Sequence, residues 1–217
     1  MTRLAPRPHR LSSLLLAGAV CLAVLAPSAA LALPPENTTR VAFQAGWRYQ
    51  PNLRFAEWAA INGHTSTGQS NGGPAFIATF GYRPLPELEV SIELGYNNES
   101  FGFVGEKSMQ LSQLPITLAA RYAPFGGSIY PYFGVGYGYV LNFFQDAPGG
   151  ESESHGSGPT AIVGGTLEVS KRVSIFLEYR YTYCRVEIAK LGYLQAGGNL
   201  FFLGVQLAFP PEDNRLQ

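Results

Sequence analysis

The sequence predicts an all-β fold: an eight-stranded antiparallel up-and-down barrel with its apolar face turned outward, toward a membrane. Three observations predict it. In Val173–Tyr183 the odd positions are Val, Ile, Leu, Tyr, Tyr and Tyr, while the even positions include Ser174, Glu178, Arg180 and Thr182. Alternation at period two is a strand with two unlike faces. The pattern recurs in about eight segments, with charged, polar or small residues on the second face. The connections between those segments also alternate between short and long, as they do when short turns line one rim of a membrane barrel and long loops the other.

The strands follow in chain order. The first spans about Val41–Gln50 and puts Val41, Phe43, Ala45, Trp47 and Tyr49 outward. The second, about Ala75–Arg83, exposes Phe76, Ala78, Phe80 and Tyr82. The third, Leu88–Asn97, sets Leu88, Val90, Ile92, Leu94 and Tyr96 against Glu89, Ser91, Glu93, Gly95 and Asn97. The fourth, about Leu111–Ala123, exposes Leu114, Ile116, Leu118, Ala120 and Tyr122. The fifth, about Tyr130–Phe144, alternates aromatic residues with Gly134, Gly136 and Gly138. The sixth is Thr160–Val169, the seventh Val173–Tyr183, and the eighth about Gly197–Phe209, with Phe201, Leu203, Val205, Leu207 and Phe209 outward. The short turns are Arg83–Glu87, Phe125–Ser128 and Ser170–Arg172. The longer polar connections run over 51–74, 98–110, 145–159 and 185–196.

Aromatic residues sort to the two rims. Tyr82, Tyr122, Phe125, Tyr130 and Phe209 fall near the short turns; Trp47, Tyr49, Phe76, Tyr96, Phe143 and Tyr181 fall near the long loops. Two such belts mark two membrane interfaces.

The N-terminus reads as an export signal. Arg3, Arg7 and Arg10 precede an apolar stretch, Leu11–Leu25, and an A-x-A site at Ala30-Leu31-Ala32. Residues 1–32 are therefore expected to be removed, leaving 33–209 as the barrel and 210–217 as a short periplasmic tail. Removal takes three of the fifteen basic residues and none of the fifteen acidic ones, leaving a net charge of −3. No basic face suggests a nucleic-acid partner. Cys184 remains alone, so no intrachain disulfide forms. After the signal, no apolar run approaches the roughly 20 residues of a spanning helix. Strands carry the membrane crossing, and an even strand number puts both termini on the periplasmic side and the long loops outside the cell.

The inward phase holds Arg48, Glu89, Glu93, Arg121, Glu168, Glu178 and Arg180. A soluble lipid-binding barrel has the reverse pattern, apolar inside. Eight strands leave a bore that side chains fill, and a buried charge without a partner is too costly to keep. These seven residues are expected to form a lumen ion-pair network. A proton or ion path through them is the sharper alternative. The glycine ladder in the fifth strand makes room for bulky neighbours such as Arg121 or Arg180; it does not match a phosphate-binding loop, because no Lys-Ser/Thr follows.

Tyr130–Gly138, Leu177–Tyr181 and Gly204–Phe209 resemble segments of small eight-stranded outer-membrane proteins of the OmpA/OmpX-type and OmpW-type barrel families. The resemblance covers nearly the whole mature chain. It implies residence in the cell outer membrane, contact with outer-membrane lipid, and delivery by the barrel-assembly machinery. It also implies that Gly204, Leu207 and Phe209 act as the assembly signal, although Phe202 stands where a polar residue is usual and Phe209 is not the last residue. In the first long connection, Phe55, Trp58 and Ile61 share one face of a short amphipathic turn. It either packs on the barrel rim or forms an entrance for a small hydrophobic ligand, as the OmpW-type resemblance suggests.

Catalysis is not expected. Some relatives of this size are lipid A-modifying enzymes that use a His with a Ser and an acid. Here the mature histidines are His64 and His155, both in predicted loops, and Gly149–Gly158 reads as a flexible acidic linker. A nucleophile and base need rigid support. No spacing supports a metal site, and no cofactor is expected. The sequence reading is a structural or surface-interaction barrel. Passage of small hydrophobic molecules is the alternative, and lipid A modification comes third.

Overall fold

Period-two alternation settles which residues face the bore and which face the surroundings, so the architecture follows from where each strand begins, ends and pairs. The computed structural model describes residues 36–50, 66–70, 72–103, 108–145, 152–188 and 192–209. Eleven strands are present: β1 (Thr38–Tyr49), β2 (Ser66–Ser70), β3 (Gly73–Leu85), β4 (Leu88–Phe103), β5 (Met109–Tyr122), β6 (Ile129–Gln145), β7 (Ser152–Glu168), β8 (Val173–Thr182), β9 (Arg185–Ile188), β10 (Gly192–Gln195) and β11 (Gly198–Phe209). No helix occurs among the described residues.

Eight of them close a ring in the order β1, β3, β4, β5, β6, β7, β8, β11, all antiparallel. The closing seam pairs β1 with β11 from Thr39↔Phe209 to Tyr49↔Asn199. Closure satisfies the backbone groups that an edge would leave bare in hydrocarbon, at several kcal/mol each. The expected closed eight-stranded barrel is what forms. The three remaining strands lie off this ring at the long-loop rim: β2 on β4, and the β9–β10 hairpin against the extension of β7.

The outer wall is apolar. Leu118, Val135 and Leu177 are each about two-thirds exposed, at 65%, 68% and 66%. Val41, Phe43, Phe80, Ile92, Leu94, Ile116, Leu203 and Val205 continue the same surface. A continuous apolar face of this extent marks a lipid or protein contact. No helix among the described residues is long and apolar enough to cross a membrane. The strands do so instead, as in barrels.

The strands run longer than the alternation alone suggested. A membrane crossing takes roughly 9–11 tilted residues, whereas β6 and β7 have 17 each. The stretch 98–110, expected as a loop, is largely the upper β4–β5 hairpin, with Glu99↔Leu111 and Phe101↔Met109 paired. The stretch 185–196 holds β9 and β10. The linker expected at Gly149–Gly158 is corrected from Ser152 onward: Ser152–Gly158 is strand, paired residue by residue with Gly138–Phe144 of β6. Its composition is that of a linker, but its neighbour is an extended aromatic strand whose backbone needs a partner. The flexible reading therefore fails where that strand continues. Tyr130 is also corrected. It was expected in the outer belt, yet it is 2% exposed and points inward, in the same phase as Tyr132 and Gly134.

The described assignment makes a direct prediction. Leu177→Arg places a charge on the lipid face near mid-bilayer and should cost roughly 2–4 kcal/mol, read as a shift in the denaturant midpoint in vesicles. Spin labels at 177 and 205 should be relaxed by a lipid-soluble quencher, and labels at 178 and 206 should not.

Candidate functional site in the barrel lumen

The inward residues of β4, β5 and β8 build the densest chemistry in the chain. Glu93 on β4 is bridged by Arg180 of β8 and by Arg121 of β5. Glu178, two residues before Arg180, accepts from Arg180 Nε and from Arg121 Nε, the latter at 3.1 Å. Tyr132 of β6 donates its hydroxyl to the same carboxylate at 2.8 Å. Arg121 also donates to Ser91 Oγ at 2.8 Å and approaches Glu89 at 3.5 Å. Each of these charged side chains is at most 4% exposed. The Arg180 guanidinium lies 5.6 Å from the centre of the Phe202 ring, a cation–π contact on its remaining face.

Small residues directly beside them on the neighbouring strands make this possible, Gly134 paired with Arg121 and Gly164 with Tyr132. A Cβ at Gly134 would sit 2.5 Å from Ala120 O and 3.1 Å from Arg121 Cγ, so the glycine ladder opens space for Arg121. A Cβ at Gly164 would fall 2.4 Å from the Tyr132 ring, which needs that room to reach Glu178.

Toward the short turns, Glu89 receives three guanidiniums. Arg40 Nη1 contacts both its oxygens at 2.6 and 2.7 Å, and Arg83 and Arg121 approach at 3.5 Å. Toward the long loops a second tier is centred on Arg48, 1% exposed. It pairs with Glu99 at 3.3 Å and donates to Gln113, to Gln50, and to the carbonyls of Ala196 at 2.7 Å and Gly197 at 3.0 Å. Gln50 holds the Gln195 carbonyl at 2.6 Å. The Ala196 and Gly197 carbonyls belong to a break in one long hairpin, and the Gln195 carbonyl borders it. Register runs in phase from Leu207↔Val173 through Gly198↔Thr182 and resumes as Gln195↔Arg185, so β8–β11 and β9–β10 are one ladder interrupted at 183–184 and 196–197. At the break the chains approach so closely that a Cβ at Gly197 would lie 1.9 Å from Thr182 O.

Above Arg48 the bore turns apolar. Phe101, Met109, Leu111, Val140, Phe144, Cys184, Val186 and Ala196 pack into one cluster under the upper hairpin. Between the two charged tiers a cavity of about 40 Å³ remains, lined by Arg48, Asn97, Gln113, Thr117, Arg180 and Thr182 among others. That is room for a few waters.

The barrel fold agrees with comparison to known proteins. The family model described as "Outer membrane protein beta-barrel domain" matches residues 12–209. The chain belongs to this family. Solved members of the same architecture include OprG from Pseudomonas aeruginosa, 14% identical with a TM-score of 0.56, covering 82% of this chain and 100% of that one. Neisserial surface protein A is 18% identical with a TM-score of 0.52, covering 79% and 97%. Ail of Yersinia pestis, solved with the heparin analogue sucrose octasulfate, is 13% identical with a TM-score of 0.51, covering 81% and 100%. At these identities the likeness is one of fold. No curated protein aligns significantly with the chain.

Family membership places the protein in the outer membrane. Within the barrel, Glu89, Glu93, Arg121, Glu178 and Arg180 come together in one connected set, whereas Arg48 belongs to the separate upper tier with Glu99. Glu168 stands apart from the connected set: it sits half-buried at the short-turn rim, where its attraction is to Arg83. Of the assembly-signal residues, Gly204 faces inward beneath the Phe176 ring, and Leu207 and Phe209 face outward on the closing strand. Phe55, Trp58 and Ile61 lie outside the described residues, as does His64. His155 is on the outer wall, its ring 5.9 Å from that of Tyr139. Sequence reasoning missed Arg40, Arg83 and Glu99. All three keep the inward phase of their strands; Arg40 and Glu99 lay just beyond strands drawn too short, and Arg83 was read as the first residue of a turn, whereas β3 runs on to Leu85.

Two consequences can be measured. Arg180→Met should destabilise the barrel by about 3–5 kcal/mol, since it leaves the buried Glu93 and Glu178 short of a partner. Combined with Glu93→Gln it should cost clearly less than the sum of the two single changes, as a double-mutant cycle in urea would read. Arg48→Ala removes the donor to the Ala196 and Gly197 carbonyls. Amide exchange over 185–195 should then quicken by about tenfold or more, while mid-barrel amides of β5 and β6 stay protected.

Proposed function

We propose that this outer-membrane barrel serves a structural or surface-interaction role and carries out no catalysis. The observation that supports the reading is the bore itself: paired charges at the Glu93–Arg180 level and the Arg48 tier above it cross the lumen, with an apolar cluster over both. Such a section leaves no continuous aqueous path of porin type. Among the described residues no group of His, Cys, Asp or Glu could hold a metal. The one described histidine, His155, stacks on Tyr139 at the outer wall rather than over a nucleophile. Lipid of the outer membrane is the proposed partner of the apolar wall, with the long loops extracellular, both termini periplasmic, and the barrel-assembly machinery acting during biogenesis.

The test is electrical and topological. Reconstituted in planar bilayers, the protein should give no large conductance steps, and cysteines placed at 153 or 185 should react with an impermeant reagent on intact cells. Porin-sized steps, or labelling only after the outer membrane is breached, would overturn the reading. A second reading is passage of small hydrophobic molecules. It is favoured by the apolar character of the cluster packed at the long-loop mouth, Phe101, Met109, Leu111 and Phe144. Uptake of a long-chain alkane that rises with expression of the barrel would decide for it.

A further inference from the structure

The outer wall changes character at the long-loop rim. Leu177 lies near mid-bilayer, and the chain runs on in the same outward phase through Tyr181 and Tyr183 to Arg185 of β9, all exposed. Arg185 is eight residues beyond Leu177. At about 3.3 Å per residue, on a strand tilted about 45°, that raises it by roughly 19 Å. Half of an apolar band about 25 Å tall is only about 12 Å. Arg185 therefore stands beyond the acyl chains, at the height of the lipid headgroups.

Register sets its neighbours. Arg185 pairs with Ser157 of β7, and Ser157 pairs with Tyr139 of β6. The three stand side by side on the outer face, all exposed. With strands about 4.8 Å apart, the row is about 10 Å wide. Two aromatic rings border it. Tyr139 stacks with His155, the ring centres 5.9 Å apart. Tyr137, two residues nearer the bilayer and 61% exposed, shares a hydrogen bond with Ser157 Oγ at 3.0 Å. Each ring is thus held by a neighbour and keeps much of its surface open. The other exposed Lys or Arg among the described residues are Lys171 and Arg172, in a short turn at the opposite rim. The acid Glu153 is four residues beyond Ser157, further from the bilayer.

We propose that this row binds the acidic saccharide headgroup of a glycolipid in the outer leaflet, a site that rests on the reading that the long loops are extracellular. Aromatic rings held open-faced stack on the C–H faces of sugar rings, and the polar edges of the same side chains stay available to hydroxyls. Ser157 and His155 offer hydrogen bonds beside them. Arg185 pairs with a phosphate or carboxylate of the headgroup. The row is wide enough for two sugar rings. Below it the apolar wall continues through Val135, Val163 and Leu177, where the acyl chains of the same molecule lie. Continuity with that wall is what makes the occupant a membrane lipid rather than a soluble glycan.

The test folds the barrel into phosphatidylcholine vesicles that also hold either lipid A, a phosphorylated disaccharide on acyl chains, or phosphatidylglycerol at equal negative charge. The melting temperature should rise with lipid A and level off at saturation, and rise far less with phosphatidylglycerol. Arg185→Gln should raise the lipid A concentration at half-effect about tenfold, the loss of one charge-assisted hydrogen bond. Tyr139→Leu, which keeps the charge and removes a ring, should weaken the response as well. Tyr96→Leu, at another exposed ring of the belt on β4, should not. An equal rise with phosphatidylglycerol would overturn the proposal, as would an equal loss in Tyr96→Leu or a response that neither Arg185→Gln nor Tyr139→Leu weakens. Full competition by the deacylated headgroup at the same concentration as lipid A would overturn the choice of a membrane lipid. Both leaflets of the vesicle carry lipid A, so these outcomes do not depend on orientation, which surface labelling at 153 and 185 reads separately.

Discussion

A closed ring of eight strands has a bore narrow enough that side chains must fill it, and charges can fill it only in matched, hydrogen-bonded sets. Most of the structure answers to that demand. Arg121 reaches across from β5 because Gly134 leaves the room, and Gly164 leaves it for Tyr132. Tyr132 turns inward because Glu178 has an oxygen for it. The apolar wall outside follows from the same strands read in the other phase. A shift of one residue would put Glu93 and Arg180 into lipid and Leu94 and Leu177 into the bore, so register is held from both sides.

Much of this was legible from the residues. Alternation fixed the inward and outward sets, and the alternating connection lengths fixed the order of strands around the ring. What escaped has a physical cause. Strand ends are decided by whether a neighbour's backbone wants a partner, and composition does not report that. Ser152–Gly158 carries the residues of a linker and still pairs, because β6 continues beside it. Arg40 was lost the same way, one residue outside a strand drawn too short, and Arg83 was given to the turn although β3 continues to Leu85. The division of charge into an upper pair and a lower cluster was not legible either, because it depends on cross-strand register between segments far apart in sequence. Arg48 meets Glu99 and not Glu93 for that reason.

The two tiers differ in what they hold. The lower one ties side chain to side chain and stiffens the wall within the membrane. The upper one ties a side chain to main-chain carbonyls, so that Arg48 and Gln50 act on the hairpin itself. The apolar cluster above depends on that attachment, since Cys184, Val186 and Ala196 enter it from the hairpin side. Packing at the mouth is thereby coupled to a charge in the bore.

The in-phase resumption of the hairpin across its break has one more consequence. Because β9 and β10 take up the ladder where β8 and β11 left it, the break interrupts the pairing without a slip of side-chain faces. Residues gained or lost in facing pairs beyond it leave every membrane-facing position unchanged. The outermost part of this hairpin can thus change in length without moving the spanning part: the break separates positions set by their own pairing from positions set by the bilayer.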